Sequence, residues 1–360
     1  MTPPLDLVFF GLSLSSSWGN GHATTYRALL KGLAREGHRV LFLECDKPWY
    51  ATRRDLPDPQ FCDFGLYRSF GDLARWSDRL VTADAVIVGS YVPDGIALID
   101  ELHRLAPRRF AFYDIDTPVT LDALTRRDCD YLAPRQLGLF DLYFSFAGGA
   151  ALDRLESLGA RKALPLYCSV DPDLYRPLDM APRWDLGYLG TYSPDRQETL
   201  EALLFEPARR LPDRRFVVAG AQFPDDLDWP ANVEHFEHVP PADHAAFYNR
   251  QRFTLNVTRQ AMRALGHSPS VRLFEAGACG TAILSDRWTG LGEVLPEGEA
   301  LLVADGPDDV VAALSLPDAR RRQLARTAQE AVLSRHTGEA RARDFARMLH
   351  TLPTRKEIPA

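Results

Sequence analysis

Between positions 256 and 295 the chain reads NVTRQAMRALGHSPSVRLFEAGACGTAILSDRWTGLGEVL, which brings together side chains that bind anions and hydroxyl groups. Ser268-Pro269 reads as a helix start, because serine caps exposed backbone N–H groups and proline is favoured at the first helical position. Gly280 reads as the stop, ahead of the apolar run 281–284. Between them Val271, Phe274 and Ala278 fall on one helical face, and Ser268, Arg272 and Glu275 on another. Such a helix can hold an anion at its N-terminus. The Glu275 carboxylate, two turns in, can accept hydrogen bonds from a pair of sugar hydroxyls. Arg259 and Arg272 are planar cations that fork onto phosphate oxygens, and His267 could contact a sugar or phosphate or do nothing as a lone loop histidine.

Three further constellations could carry chemistry. The loop GLSLSSSWGNGHATT at 11–25 follows an apolar run and opens a helix, so its glycines let backbone N–H groups approach a ligand. Gly19, Asn20 and Gly21 form its turn and His22 closes it. With a pKa near neutrality, a loop histidine can serve as general base for an acceptor hydroxyl; it can equally cap the helix or bind acceptor. A dinucleotide fingerprint would need a third glycine near Thr24, which is absent, although Glu44 stands where a dehydrogenase holds its ribose-binding acid. In FYDIDTP at 112–118, Asp114 and Asp116 are two residues apart, so on an extended strand both face one side. They can bind sugar hydroxyls, or one can act as base; the plainer reading is a strand-end turn capped by Asp116. In LGTYSPDR at 189–196, Gly190, Thr191 and Arg196 could touch a diphosphate, with Ser193 as cap and Pro194 first in the helix. A surface position would suit Arg196 too.

The elements that must position these residues are legible as alternating apolar runs and helical stretches. Runs at 5–12, 39–45, 83–91, 109–115, 142–146 and 164–170, then at 186–192, 215–221, 233–239, 253–257, 281–285 and 300–304, lack strict alternation. They fit strands buried on both faces, and the helices between them imply parallel sheets. Tyr26, Leu29, Leu30 and Leu33 recur at helical spacing and Gly37 stops that helix. An α/β fold of two Rossmann-like domains follows. Its expected parts are 1–170, a Pro- and Asp-rich linker at 171–183, a second domain at 184–335 and a C-terminal helix at 336–360. A chain of 360 residues can build two such cores. Its net charge of −7 argues against nucleic acid as partner. No apolar run spans a bilayer, the N-terminus lacks the basic start of a signal peptide, and the five cysteines form no CxxC pair. A cytoplasmic protein with reduced thiols and no metal site is expected.

Residues 254–293 resemble the nucleotide-binding signature of GT-B-fold glycosyltransferases. They are most similar to the bacterial group named after the spore-maturation protein CgeB, whose C-terminal domains read similarly around SPS-x-R-x-FE-x-x-AxG and SD-x-W-x-G and which has a DIDTP stretch like that at 114–118. The resemblance covers nearly the whole chain. It implies a GT-B fold, two Rossmann-like domains with parallel sheets facing across a cleft, with the last helix returning to the N-terminal domain. It implies that Glu275 binds the donor ribose, with Gly190, Thr191, Arg196, Arg259, His267, Ser270 and Arg272 around the rest of the donor. Gly19, Asn20, Gly21 and Asp114 would face it from the acceptor side, with His22 and Asp116 as catalytic candidates. Many retaining members carry a second glutamate eight residues before the first; His267 stands there, which leaves the stereochemical outcome open. The expected activity is transfer of a sugar from a nucleotide-sugar donor to an acceptor hydroxyl, with no metal or other cofactor. A nucleotide-sugar epimerase of the same fold, a non-catalytic nucleotide-sugar-binding protein and, third, an NAD-binding dehydrogenase are the other readings. The acceptor, whether saccharide, small molecule or protein, is not legible. The aromatic-rich stretch 47–79, with Trp49, Tyr50, Phe64, Tyr67 and Trp76, could line its site or be core.

Overall fold

Residues 3–18 and 21–353 are described in a computed structural model. The chain divides into one unit of Met1–Ser169 with Gly338–Ala360, and a second of Val170–Thr337. The first is built on β1 (Asp6–Gly11), β2 (Arg39–Cys45), β3 (Asp63–Tyr67), β4 (Ala85–Gly89), β5 (Phe110–Asp114), β6 (Leu142–Ser145) and β7 (Ala163–Pro165). The second is built on β8 (Trp184–Leu189), β9 (Phe216–Ala219), β10 (Val233–Phe236), β11 (Gln251–Asn256), β12 (Ala282–Ser285) and β13 (Leu301–Val303). Every pairing between these strands is parallel. The orders are β3-β2-β1-β4-β5-β6-β7 and β10-β9-β8-β11-β12-β13. Each sheet therefore reverses its winding once, between β1 and β4 and between β8 and β11, and the strand ends open a crevice there. These are two Rossmann-like parallel-sheet units.

One strand was not evident from the apolar runs. β3 is a short edge strand, DFGLY, with a partly exposed face. It lies in the aromatic stretch, and much of that stretch is core. Tyr50 and Tyr67 are buried, Tyr67 packs edge-on to Phe10 at 5.9 Å, and a side chain on Gly65 would meet the Trp76 ring at 2.5 Å. Trp49 alone of these is more than half exposed, at 53%.

In the first unit the helix His22–Arg35 buries Tyr26, Leu29, Leu30 and Leu33 against Phe9 and Phe42. The helix Gly338–His350 adds Ala342, Phe345, Ala346 and Leu349 to the same cluster, with Phe345 5.6 Å from Phe9 and 4.7 Å from Phe144. The two helices meet backbone to backbone. A Cβ on Gly338 would sit 2.0 Å from the Ala28 carbonyl oxygen, and one on Gly32 would sit 2.3 Å from that of Gly338. In the second unit the helix Val271–Ala278 packs on Asp318–Arg335 through a similar close approach, with Gly277 against Val332. The Pro-rich residues 171–183 belong to this unit, and Asp171 and Tyr175 are buried in it. Among the described residues no helix is long and apolar enough to cross a membrane.

Because the Gly338 contact is with rigid backbone, Gly338→Ala is expected to destabilise the first unit by about 3 kcal/mol, the upper range for overpacking. A urea midpoint within error of the parent's would refute the close-packing account.

Candidate active site

At the switch point of the second sheet, β8 runs out at Leu189 into Gly190 and Thr191. Gly190 has no room for a side chain: a Cβ would meet the Tyr188 hydroxyl at 2.6 Å and Arg272 Nη2 at 2.8 Å. Gly220, after β9, approaches it so closely that its own Cβ would lie 2.0 Å from the Gly190 carbonyl. Arg272, in the first turn of Val271–Ala278, is buried. Its Nε donates to the Leu189 carbonyl at 2.7 Å, Nη2 donates to the same oxygen, and Nη1 donates to Asn256 Oδ1 at 2.9 Å. Its guanidinium lies 4.9 Å from the Tyr188 ring centroid. Arg196, in the helix Pro194–Leu200, is also buried; its Nη2 donates to the Thr191 carbonyl while its Nε has no partner. Burial lowers the Arg196 pKa, and the cations of Arg272 and Arg259 lower it further. Arg259 itself is exposed and precedes the short helix Gln260–Leu265. The nearby countercharge is Asp195, which accepts from the Gln260 N–H at 2.9 Å and from the Ser193 hydroxyl. Three guanidinium groups are thus electrostatically coupled around the Gly190 turn, one with a buried donor unspent, and an anion would relieve both conditions.

The helix that follows starts later than the sequence implied. Its cap is Ser270, whose Oγ accepts from the Arg272 N–H at 3.3 Å. Gly266 and His267 both take positive φ, 70° and 44°, and the chain stays out of the helix until Ser270. Ser268 is buried outside the helix, so it does not share a face with Arg272 and Glu275. His267 is held against the loop after β12: its N–H donates to the Thr289 carbonyl at 2.6 Å, and its Nδ1 lies 3.4 Å from Glu293 Oε2. Glu293 is the partner of that histidine. Glu275 is buried, with Oε2 accepting from the Tyr248 hydroxyl at 2.9 Å. Asp286 fixes the loop that carries Arg259. Its carboxylate accepts from Thr258 Oγ1 at 2.8 Å and from the Thr258 N–H at 3.1 Å, and burial raises its pKa. A cavity of about 910 Å³ beside this loop is lined by Asp195, Arg263, Arg287 and Trp288 among others, and by none of the donor candidates.

In the first unit, Gly19 and Asn20 lie outside the described residues. Gly21 is exposed and precedes the helix His22–Arg35. The register of β1 on β2 sets Gly11 beside Glu44. The fully buried Glu44 spends its carboxylate on the loop: Oε2 accepts from the Leu14 N–H at 2.7 Å and the Ser15 N–H at 2.9 Å, and Oε1 accepts from Ser15 Oγ at 2.7 Å. An acid so engaged cannot hold a ribose as a dehydrogenase acid does, so the NAD reading loses its one support.

His22 departs from a neutral-range titration. Its Nδ1 is buried without a partner, and burial lowers its pKa to about 4. At neutral pH it is an uncharged imidazole, able to accept a proton but a weaker base than the neutral-range histidine expected from the sequence. Asp114 and Asp116 do not share a face. β5 ends at Asp114, which is fully buried and accepts from the Tyr143 hydroxyl at 2.6 Å and Thr120 Oγ1 at 2.7 Å; burial raises its pKa to about 6. The chain then bends, and the partly exposed Asp116 sits at the start of the helix Thr117–Arg126 without a side-chain capping bond. Its Oδ2 accepts from the Tyr91 hydroxyl at 3.3 Å, and the Tyr91 ring lies edge-on to His22 at 5.2 Å. His22 and Asp116 are therefore brought together, Asp114 is not, and Tyr91 was missed. Its only signal is its place at the end of an apolar run.

The two shifts have opposite signs in stability. The folded-state pKa of His22 is depressed from 6.5 to about 4, so its contribution is present above pH 6.5 and lost as pH falls through about 4. That of Asp114 is raised from 3.8 to about 6, so its contribution is present below pH 3.8 and lost as pH rises through about 6. Over pH 6.5 to 4, His22→Gln should lose less stability than the parent on acidification. From pH 4 to 6, Asp114→Asn should lose less on alkalinisation. Urea midpoints across this range check both; profiles parallel to the parent's would contradict them.

Residues 196–347 match the family model described as glycosyl transferase-like. No curated protein matches the chain. Among solved structures, an alpha-glucosyltransferase in complex with UDP-glucose and DNA containing an abasic site superposes with a TM-score of 0.70 at 13% identity, covering 97% of this chain and 100% of that one. The catalytic domain of starch synthase IV from Arabidopsis thaliana, bound to ADP and acarbose, gives 0.69 at 11% identity over 97% and 99%. HepE of Anabaena, in complex with UDP and glucose, gives 0.66 at 12% identity over 97% and 100%. Residues 196–347 are thus similar to glycosyl transferases, and the chain shares the fold of two parallel-sheet units with these solved structures.

Proposed function

We propose that the chain transfers a sugar from a nucleotide-sugar donor to an acceptor hydroxyl, and that it belongs to the CgeB-like glycosyltransferases. The observation that carries this reading is the coupled set Arg196, Arg259 and Arg272 around Gly190 and Thr191, with the Arg196 Nε–H buried and unspent. A diphosphate supplies the negative oxygens that such a set lacks. Arg272 is largely committed to Leu189 and Asn256, so it would act through its charge, and Arg196 and the exposed Arg259 through hydrogen bonds. As the bond from sugar to diphosphate breaks, these cations would stabilise the leaving charge. That is a metal-independent route needing no further cofactor. Ser270 at the helix start would add backbone N–H groups for the same anion. Glu275 would take the ribose with the lone pairs left by the Tyr248 and Tyr175 hydroxyls, and His267 would face the sugar.

On the acceptor side, uncharged His22 would take the proton of the attacking hydroxyl, with Asp116 orienting that hydroxyl. None of the five cysteines is in a disulfide, which agrees with a reducing cytoplasm, where we place the reaction. The nucleotide-sugar epimerase and the non-catalytic binder use the same donor site and differ only in turnover. UDP-hexoses head the donor panel, because the HepE and alpha-glucosyltransferase structures hold UDP with glucose and UDP-glucose respectively.

A thermal-shift panel of UDP-, GDP-, dTDP- and CMP-sugars with NAD tests the donor class. One nucleotide-sugar series should stabilise the parent. Arg196→Ala should bind it about tenfold or more weakly, the loss expected for a hydrogen bond to a charged group, and Glu275→Ala should lose the shift. Stabilisation by NAD alone, or undiminished affinity in Arg196→Ala, would sink the reading.

A further inference from the structure

Tyr91 stands two residues past β4, where the first sheet reverses its winding. Its φ is +61°, a left-handed conformation that a bulky residue keeps only when its surroundings hold it there. From this backbone the side chain reaches three ways. The ring lies edge-on to His22 at 5.2 Å; the hydroxyl donates to Asp116 Oδ2 at 3.3 Å; the ring packs 4.6 Å from Tyr131. The Tyr131 hydroxyl is 2.8 Å from Thr120 Oγ1, which donates to Asp114. One side chain thus connects both acceptor-side candidates to a buried network anchored on β5 and β6. Tyr91 and Tyr131 also wall a cavity of about 330 Å³, with Asp94, Arg126 and Asp128 on other sides.

No hydrogen bond fixes His22 at Nδ1, so the orientation of the imidazole depends on packing, and Tyr91 supplies the ring it packs on. We propose that Tyr91 is the positioning residue of the first unit, its ring setting the imidazole of His22 and its hydroxyl setting the carboxylate of Asp116 towards one acceptor. This rests on the reading of His22 and Asp116 as the reacting end. The titratable groups in this cluster are Tyr26 on the His22 helix itself, Tyr91 after β4, Asp114 and Asp116 at the end of β5, Tyr131 and Tyr143.

The test uses the full chain labelled at histidine, as parent, Tyr91→Phe and Tyr91→Ala, with the UDP-glucose thermal shift recorded on each sample. Imidazole titration by NMR and the pH profile of UDP-glucose turnover are read together. Tyr91→Ala should raise the His22 midpoint by about one pH unit or more as the ring loses its cover. It should lower kcat by about tenfold or more with the donor KM little changed, since proton transfer and not donor binding is disturbed. Tyr91→Phe should keep the His22 midpoint and lose only a few-fold in kcat, as expected for one hydroxyl. An unmoved His22 midpoint and unchanged kcat in Tyr91→Ala, with the thermal shift retained, would overturn the proposal. If UDP-glucose neither binds nor turns over in the parent, it is the donor reading that suffers. The imidazole titration then decides Tyr91 alone: a moved midpoint sustains it and an unmoved one ends it.

Discussion

The second unit depends on one buried cation. Arg272 joins the start of the signature helix to the end of β8 through Leu189 and to the end of β11 through Asn256. Asn256 in turn donates to Ser285 at the end of β12. Three adjacent strand ends are thus fixed relative to one helix start by a single guanidinium. Burying such a charge is costly unless its donors are satisfied. Here two carbonyl-type oxygens and the face of Tyr188 meet that cost. The absence of a Cβ at Gly190 is part of the same device, because the guanidinium occupies the space a side chain would need. Among the described residues no carboxylate is hydrogen-bonded to Arg272, so its charge is held in place by uncharged acceptors.

The first unit solves the same topological problem with the opposite sign. Its first loop also leaves a strand through glycine and enters a helix, yet the buried charge beside it is the anion Glu44. The Leu14 and Ser15 N–H groups, which a phosphate would have to recruit, are already donated to that carboxylate. Two units of like winding are thereby made unlike in what they can attract. This is the physical ground on which we propose the diphosphate for the second unit and the proton transfer for the first.

Much of the fold was legible because buried parallel strands announce themselves as apolar runs, and Gly37 and Gly280 stop their helices where positive φ, 85° and 69°, is needed. β3 escaped because an edge strand need bury only part of itself. The start of the signature helix was misplaced by two residues because Ser-Pro-Ser offers two caps. Backbone torsions at Gly266 and His267, invisible in composition, select the second. The separation of Asp114 from Asp116 depends on where β5 ends, which no periodicity marks. The pairing of Glu44 with the serine loop and of Tyr91 with His22 each joins residues far apart in sequence, and such contacts follow from sheet order, not from local spacing.

The strained residues follow a related logic. His267 and Tyr91 both hold positive φ without being glycine, and each stands where a candidate reacting group is aimed. Neither conformation is favoured by its own residue, so each must be over-determined by its neighbours. For His267 these are the Thr289 carbonyl, the approach of Glu293, and a Gly290 whose Cβ would clash with the imidazole at 2.5 Å. For Tyr91 they are Tyr131 and Asp116. In both places the supporting residues come from other segments of the same unit. A change in either support would release the strain before it loosened the core beneath, so the aim of these side chains is separable from the stability of the units that carry them.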